Sequence, residues 1–186
     1  LLLYAISRQN QPFVVTEPYI KSFTSIDLEE PSDKFSSAYT RWARKSAAYQ
    51  CCLRRAGFTV PQNHKVKFTG NKDINSRVVE GRTIDPSTGI TLDDAITFWT
   101  WVAEHQNDSF FTEYRSKNGH DWVDEDLKAL LVFLTRKRNL TGSASLTGYR
   151  KLVPLKDYHT VQSDSPFETD IVEQLRKGNI VIIDLS

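Results

Sequence analysis

The sequence predicts a mainly α-helical, bundle-like domain with short strands, ending in a β-strand that belongs to a larger α/β sheet. Three stretches support this prediction. Residues 36–56 repeat their large side chains at intervals of three and four, residues 121–139 begin with acids and end with bases, and residues 179–185 form a largely apolar run. The first two patterns are typical of helices, and the third is typical of a strand buried on both faces.

The helix predicted over residues 36–56 carries a stripe of large side chains on one side. The members of this aromatic stripe recur at helical spacing: Tyr39, Trp42, Ser46, Tyr49, Leu53 and Ala56. Gly57 supplies a left-handed end, and Phe58 supplies the apolar contact that accompanies such an end. We therefore expect this helix to pack on its aromatic stripe.

A second helix is predicted from Leu92 to about Gln106. Thr91, with Asp94 three positions later, is a variant of the capping box in which aspartate replaces glutamate. The predicted core face consists of Leu92, Ala95, Ile96, Trp99, Val102 and Ala103. Trp101 falls on the other side, near Asp94 and His105, where an indole can stack on a base or anchor a partner. A second contact with the core is the alternative.

Shorter elements complete the predicted order. A strand is expected at residues 64–68, where polar and apolar residues alternate, and a short helix capped by Asn71 is expected at residues 71–81. The last helix covers residues 167–177 and is ended by Gly178. The strand that follows needs neighbours from elsewhere, because a parallel strand cannot pair through a short connection. We therefore expect the chain to be part of a larger protein.

Composition narrows the functional classes. The 24 basic and 23 acidic residues leave a net charge of +1, so attraction to nucleic acid must come from a local patch. No apolar run approaches the roughly 18 residues that span a bilayer, so no membrane partner is expected. The two cysteines, Cys51 and Cys52, are adjacent, which excludes CxxC metal spacing and favours packed thiols in the reducing cytoplasm.

Motifs for nucleotide and metal chemistry are missing from these 186 residues. Neither GxxxxGK[ST] nor GxGxxG occurs. Asp184 ends the last strand as a magnesium ligand would, but Leu185 follows it in place of a second acid. The alternative for Asp184 is a structural aspartate at a strand end. His120 beside Asp121, and His159 near Asp157, are the His/Asp pairs that could act as a base with its orienting acid.

The helix at residues 36–56 also carries a basic face. Arg41, Arg44, Lys45 and Arg55 fall within about a third of its circumference, on the side away from the aromatic stripe. These four cations are the candidate contacts to phosphates or to an acidic surface. The alternative is a solvated face whose cations pair with acids from other elements.

Three stretches resemble segments of bacterial HerA-like ATPases, ring-forming DNA translocases of the HerA/FtsK class. They are "SAYTRWARKSAAYQCCLRRAGF", "GYRKLVPLKDYHT" and "VEQLRKGNIVIIDLS". The resemblance implies a three-part chain: an irregular N-terminal arm at 1–35, a helical insertion domain at 36–160, and a helix and strand at 161–186 that return to a RecA-like sheet. For the parent it implies ATP, Mg²⁺, hexamers and DNA, and it makes Asp184 the aspartate of a neighbouring strand.

The resulting hypothesis is an accessory helical insertion domain that is not catalytic alone and needs no cofactor of its own. Its expected partners are DNA, neighbouring ring subunits, or a nuclease or other effector, contacted through the four cations and Trp101. A different class is the alternative: a small stand-alone hydrolase or nucleotide-dependent enzyme that uses Asp184 or a His/Asp pair.

Overall fold

Six helices and a two-stranded sheet form the described part of the chain. A computed structural model describes residues 23, 25–77, 83–135, 148–158 and 167–179. In chain order the elements are α1 Ser37–Arg55, β1 Lys65–Val66, α2 Lys72–Arg77, a 3-10 turn Pro86–Thr88, β2 Ile90–Thr91, α3 Leu92–Glu104, α4 Ser109–Asn118, α5 Glu125–Thr135, a run of 3-10 turns Gly148–Tyr158, and α6 Phe167–Arg176. The predicted mainly α-helical class is confirmed.

Helix α1 begins and ends as the sequence predicts. The Ser36 hydroxyl accepts a hydrogen bond from the backbone N–H of Tyr39 at 3.0 Å, which satisfies one of the free donors of the first turn. At the other end Gly57 has φ 91°, and the backbone N–H of Phe58 donates to the Leu53 carbonyl at 3.1 Å. The Phe58 side chain is buried, so a left-handed glycine and an apolar contact close the helix.

Helix α1 buries a row of small residues that the sequence pattern did not indicate, and Trp42, Tyr49 and Leu53 of its aromatic stripe also pack against the core. Its buried residues are Ala43, Ala47, Ala48, Cys51 and Cys52. Helices α3 and α5 and the 148–158 turns all contact α1, and small side chains let their backbones approach closely. The aromatic stripe is half-buried on the opposite side, where Phe23 stacks on Tyr49 and the indole of Trp42 donates to the Leu28 carbonyl.

Aromatic rings fill the space between the small sheet and α3. The sheet pairs Lys65 with Thr91 in antiparallel register, and the predicted cap of α3 is confirmed because the Thr91 hydroxyl accepts from the Asp94 N–H at 3.1 Å. Phe68, just after β1, stacks on Trp99 at 4.8 Å between ring centroids. Phe98 and Trp99 are both fully buried, so β1 and α3 share one aromatic core.

Helix α5 packs against both α1 and α3. Asp124 caps it by accepting from the Leu127 N–H at 2.9 Å, and acids occupy its first turn, as the helix dipole favours. Its buried residues are Leu127, Leu130, Leu131, Phe133 and Leu134. Phe23 stacks on Phe133 as well as on Tyr49, so this ring joins α1 to α5.

Helix α4 is an element that the sequence analysis did not predict. It contributes one buried residue, Phe111, and ends at Gly119 with φ 72°.

Near the end of the described residues, the predicted last helix is confirmed as α6, which is followed by Gly178 with φ 77°. Residues 180–185 of the predicted strand, including Asp184, and nearly all of the N-terminal arm before residue 25 lie outside the described residues. Within the described ranges, no helix has the length and apolarity required to cross a lipid bilayer.

Candidate binding surface

The start of α1 presents a phenylalanine ring to solvent. The Asp33 carboxylate accepts from the N–H of Phe35 at 2.9 Å, and the Ser36 hydroxyl donates to the Asp33 carbonyl at 2.7 Å. These bonds fix the turn that enters the helix. The Phe35 ring is nevertheless completely exposed. A residue at this position often packs against the fourth residue of the helix, but that residue is Thr40.

Arg41 is an exposed cation of the predicted basic face. It lies in the second turn of α1, one turn before Arg44. Among the residues that the structure describes, Arg41 has no hydrogen bond and no ion pair. Arg41 therefore retains all its donors for a partner, as the sequence analysis expected of the whole set.

Arg44 is held inside the protein instead. Its Nε donates to the Thr69 carbonyl at 3.1 Å, and its guanidinium lies 4.4 Å from the centre of the Trp122 ring. Burial lowers the pKa of Arg44 from its ordinary value, while Tyr114 and Asp124 act in the opposite direction. The contact over the indole is a cation–π interaction. Arg44 therefore ties α1 to the loop before α5.

Lys45 and Arg55 also contact α5. The Lys45 ammonium lies 2.9 Å from a carboxylate oxygen of Asp126. Arg55 donates to the carbonyl of Leu134 at 3.1 Å and lies 5.0 Å from the centre of the Tyr149 ring. Both cations thus serve the packing of α1, as in the alternative in which the basic face pairs with other elements.

The candidate residues do not form one cluster. Arg41 and Arg55 are fourteen residues apart on α1, which corresponds to about 21 Å along the helix axis. Trp101 belongs to α3, where its ring stacks on His105 at 4.3 Å between centroids and is half-buried. The expected position of Trp101 beside His105 is confirmed. The start of α1 is the part of the predicted surface whose cation, Arg41, has no partner among the described residues.

The histidines do not form a catalytic pair among the described residues. His120 contacts the backbone carbonyl of Asp121 at 3.2 Å, and the Asp121 carboxylate lies 3.4 Å from the Nε of Arg115. His64 bonds to the side chain of Gln50 at 2.6 Å. No group of three potential metal ligands occurs within the described ranges. His159 and Asp184 lie outside them.

Sequence reasoning missed Phe35. The relevant signal was present, because a capping Ser36 was followed four residues later by Thr40, so an apolar residue before the cap had no local partner. It also missed a polar cavity beside α4, whose lining comes from four separate segments.

Comparison of the chain with protein-family models, with curated proteins and with solved structures found no match.

Proposed function

We propose that this chain is a non-catalytic binding domain, an accessory helical insertion of a HerA-like ring ATPase that works in the cytoplasm. Its contact surface, in this proposal, is the start of α1, with Phe35 and Arg41 as the contact residues. The partner is a protein: a neighbouring ring subunit or an effector such as a nuclease. The single observation that supports this choice is the complete exposure of a phenylalanine whose backbone is fixed by its cap.

An exposed aromatic ring and an unpaired arginine near the same end of α1 suit a protein interface. Aromatic residues and arginine are enriched in the buried centres of such interfaces, where few residues supply most of the binding energy. Phe35 would lose little conformational freedom on binding because two hydrogen bonds already hold its turn. Arg41 would attract an acidic rim on the partner.

DNA is the second candidate partner, favoured by the free guanidinium of Arg41. The cations of α1 can supply few phosphate contacts, because Arg44, Lys45 and Arg55 are engaged within the protein. Each phosphate contact changes the logarithm of affinity by about −0.9 per logarithmic unit of salt, so one contact gives about −0.9 and four give about −3.6. Duplex binding of the full chain, followed by fluorescence anisotropy against salt, measures this slope.

The parent and the surface are tested separately. The reading frame around these residues should encode a phosphate loop upstream and an acidic pair downstream, and a frame without them refutes the HerA-like parent. Phe35→Ala and Arg41→Glu, introduced into the parent protein, should weaken subunit or effector association at least tenfold by size-exclusion chromatography and interferometry. Lys117→Glu, an exposed charge on α4, is the matched control. Unchanged association, or a duplex salt slope near −3.6, would reject the proposed surface.

A further inference from the structure

A cavity of about 240 Å³ lies beside α4. Its lining comes from the loop after α3, one face of α4, the loop before α5 and α5 itself. The residues are Gln106, Asn107, Phe111, Thr112, Arg115, Asp121, Trp122, Val123 and Lys128. At about 30 Å³ of liquid volume per molecule, this space corresponds to roughly eight waters. It is large enough for one amino-acid residue and smaller than the usual 300–1,000 Å³ of a cofactor site.

The floor of the cavity is apolar and rigid. Phe111 and Trp122 meet edge to face, with ring centroids 5.9 Å apart and planes at 62°. Both are buried, and one face of Trp122 is covered by the guanidinium of Arg44. Stacking of a nucleobase requires an open ring face, which these two rings do not offer. An aliphatic or aromatic side chain of a ligand can instead fill the space above their edges.

The rim of the cavity carries more positive than negative charge. Arg115 and Lys128 are cations, and Asp121 is the acid among the lining residues, so their formal charge is +1. Asp121 lies 3.4 Å from the Nε of Arg115, which orients the guanidinium and leaves its two terminal nitrogens for a ligand. Among the described residues, the Lys128 ammonium has no hydrogen-bond or ion-pair partner. A carboxylate group would satisfy both cations.

The remaining polar groups suit a peptide backbone. Asn107 and Thr112 line the cavity with an amide and a hydroxyl, which can donate to a peptide carbonyl and accept from a peptide N–H. We infer that this cavity binds the carboxyl-terminal residue of a peptide chain: its carboxylate on Arg115 and Lys128, its apolar side chain on Phe111 and Trp122. This inference does not depend on the surface at the start of α1.

The test uses the full chain labelled with ¹⁵N and four probes. The first is acetyl-Gly-Ser-Val-Leu with a free carboxylate, the second is the same peptide as its amide, the third ends in aspartic acid, and the fourth is inorganic phosphate. The free acid should shift the amide signals of Phe111 and Thr112 and the indole signal of Trp122. The amide and the aspartate-ended peptide should bind at least tenfold more weakly, since the amide lacks the terminal carboxylate and the aspartate-ended peptide lacks the apolar side chain.

Three variants test the assigned roles. Arg115→Gln and Lys128→Gln should each weaken binding of the free acid about tenfold, whereas Lys117→Gln, on the same helix but outside the cavity, should leave it unchanged. Thermal melts should be similar for all four proteins, because these side chains are exposed.

Several outcomes would overturn the inference. Equal affinity for the acid and the amide removes the carboxylate from recognition. Identical shifts with phosphate and with the peptide mean that the cavity binds anions in general and does not recognise the carboxyl-terminal residue of a peptide. Unchanged binding of the free acid in both Arg115→Gln and Lys128→Gln would remove the two cations from recognition. No shifts at millimolar peptide, with the signals of the cavity assigned, mean that the cavity binds no peptide end.

Discussion

Phe23 should contribute more to stability than its position fourteen residues before helix α1 suggests. Its ring is 2% exposed and stacks on Tyr49 at 4.2 Å and on Phe133 at 4.5 Å between centroids. Full burial of such a side chain is worth about 1.5–3 kcal/mol, and each of two ring pairs adds about 0.5–1.5 kcal/mol. Phe23→Ala should therefore lower the free energy of unfolding by about 3–5 kcal/mol, which matches the usual cost of this substitution in a core.

Urea unfolding followed by circular dichroism measures this cost, and Phe35→Ala is the matched control. Phe35 is completely exposed, so its removal should change the free energy of unfolding by less than about 0.5 kcal/mol. Phe23→Leu keeps most of the apolar volume but loses both ring pairs, and it should cost about 1–2 kcal/mol. A cost below about 1 kcal/mol for Phe23→Ala, or equal costs at the two positions, would refute the assignment of Phe23 to the core.

Three further predictions concern buried groups. Burial raises the pKa of both Cys51 and Cys52, so iodoacetamide should label these thiols at the rate of global unfolding. Burial raises the pKa of Tyr49 to about 12 from 10, so the free energy of unfolding should keep this contribution below pH 10 and lose about 2 kcal/mol of it by pH 12, as measured by urea titrations. A Cβ at Gly70 would lie 2.6 Å from the Asn75 carboxamide oxygen, so Gly70→Ala should cost about 1–3 kcal/mol in thermal melts.

Each of these predictions has a control. Labelling in dilute urea should accelerate with the unfolded fraction, and rapid labelling of the native protein would place the thiols outside the core. Tyr49→Phe should remove most of the loss between pH 10 and 12, because the unfolded state ionises first. An unchanged alkaline slope would assign the loss to another group. Gly119→Ala, where no heavy atom lies within 4 Å but φ is 72°, separates backbone strain from the side-chain clash expected at Gly70.

Local signals predicted much of the helical order. The boundaries of α1 and α3 follow from short-range hydrogen bonds at Ser36 and Thr91 and from the glycine at position 57, and residues within one turn determine these bonds. The row of small buried residues on α1 was not predicted because hydrophobicity favours large side chains, whereas contact with several neighbours on that side requires small ones such as Ala48.

Long-range contacts determined what the sequence could not show. The partners of Arg44 and Lys45 come from residues 122–126, about eighty positions later, and no spacing rule within a helix identifies them. Helix α4 escaped prediction because its apolar residues Phe110, Phe111 and Tyr114 are few and its remaining residues are polar. The cavity takes its lining from four short segments between residues 106 and 128, and no periodic pattern in the sequence marks residues of different segments as neighbours.

The position of α1 at the centre of the fold delays its burial during protein synthesis. The sulfur of Cys52 contacts the Leu130 carbonyl 78 residues later, and Lys45 pairs with Asp126 across 81 residues. At a synthesis rate of about 5–20 residues per second, the small-residue side of α1 would lack its contacts with α5 for roughly 4–16 seconds. A ribosome-bound chain that ends before α5 should leave Cys52 open to alkylation, and the released full chain should protect it. Protection of Cys52 in the shorter chain would show that another segment buries this thiol before α5 is synthesised.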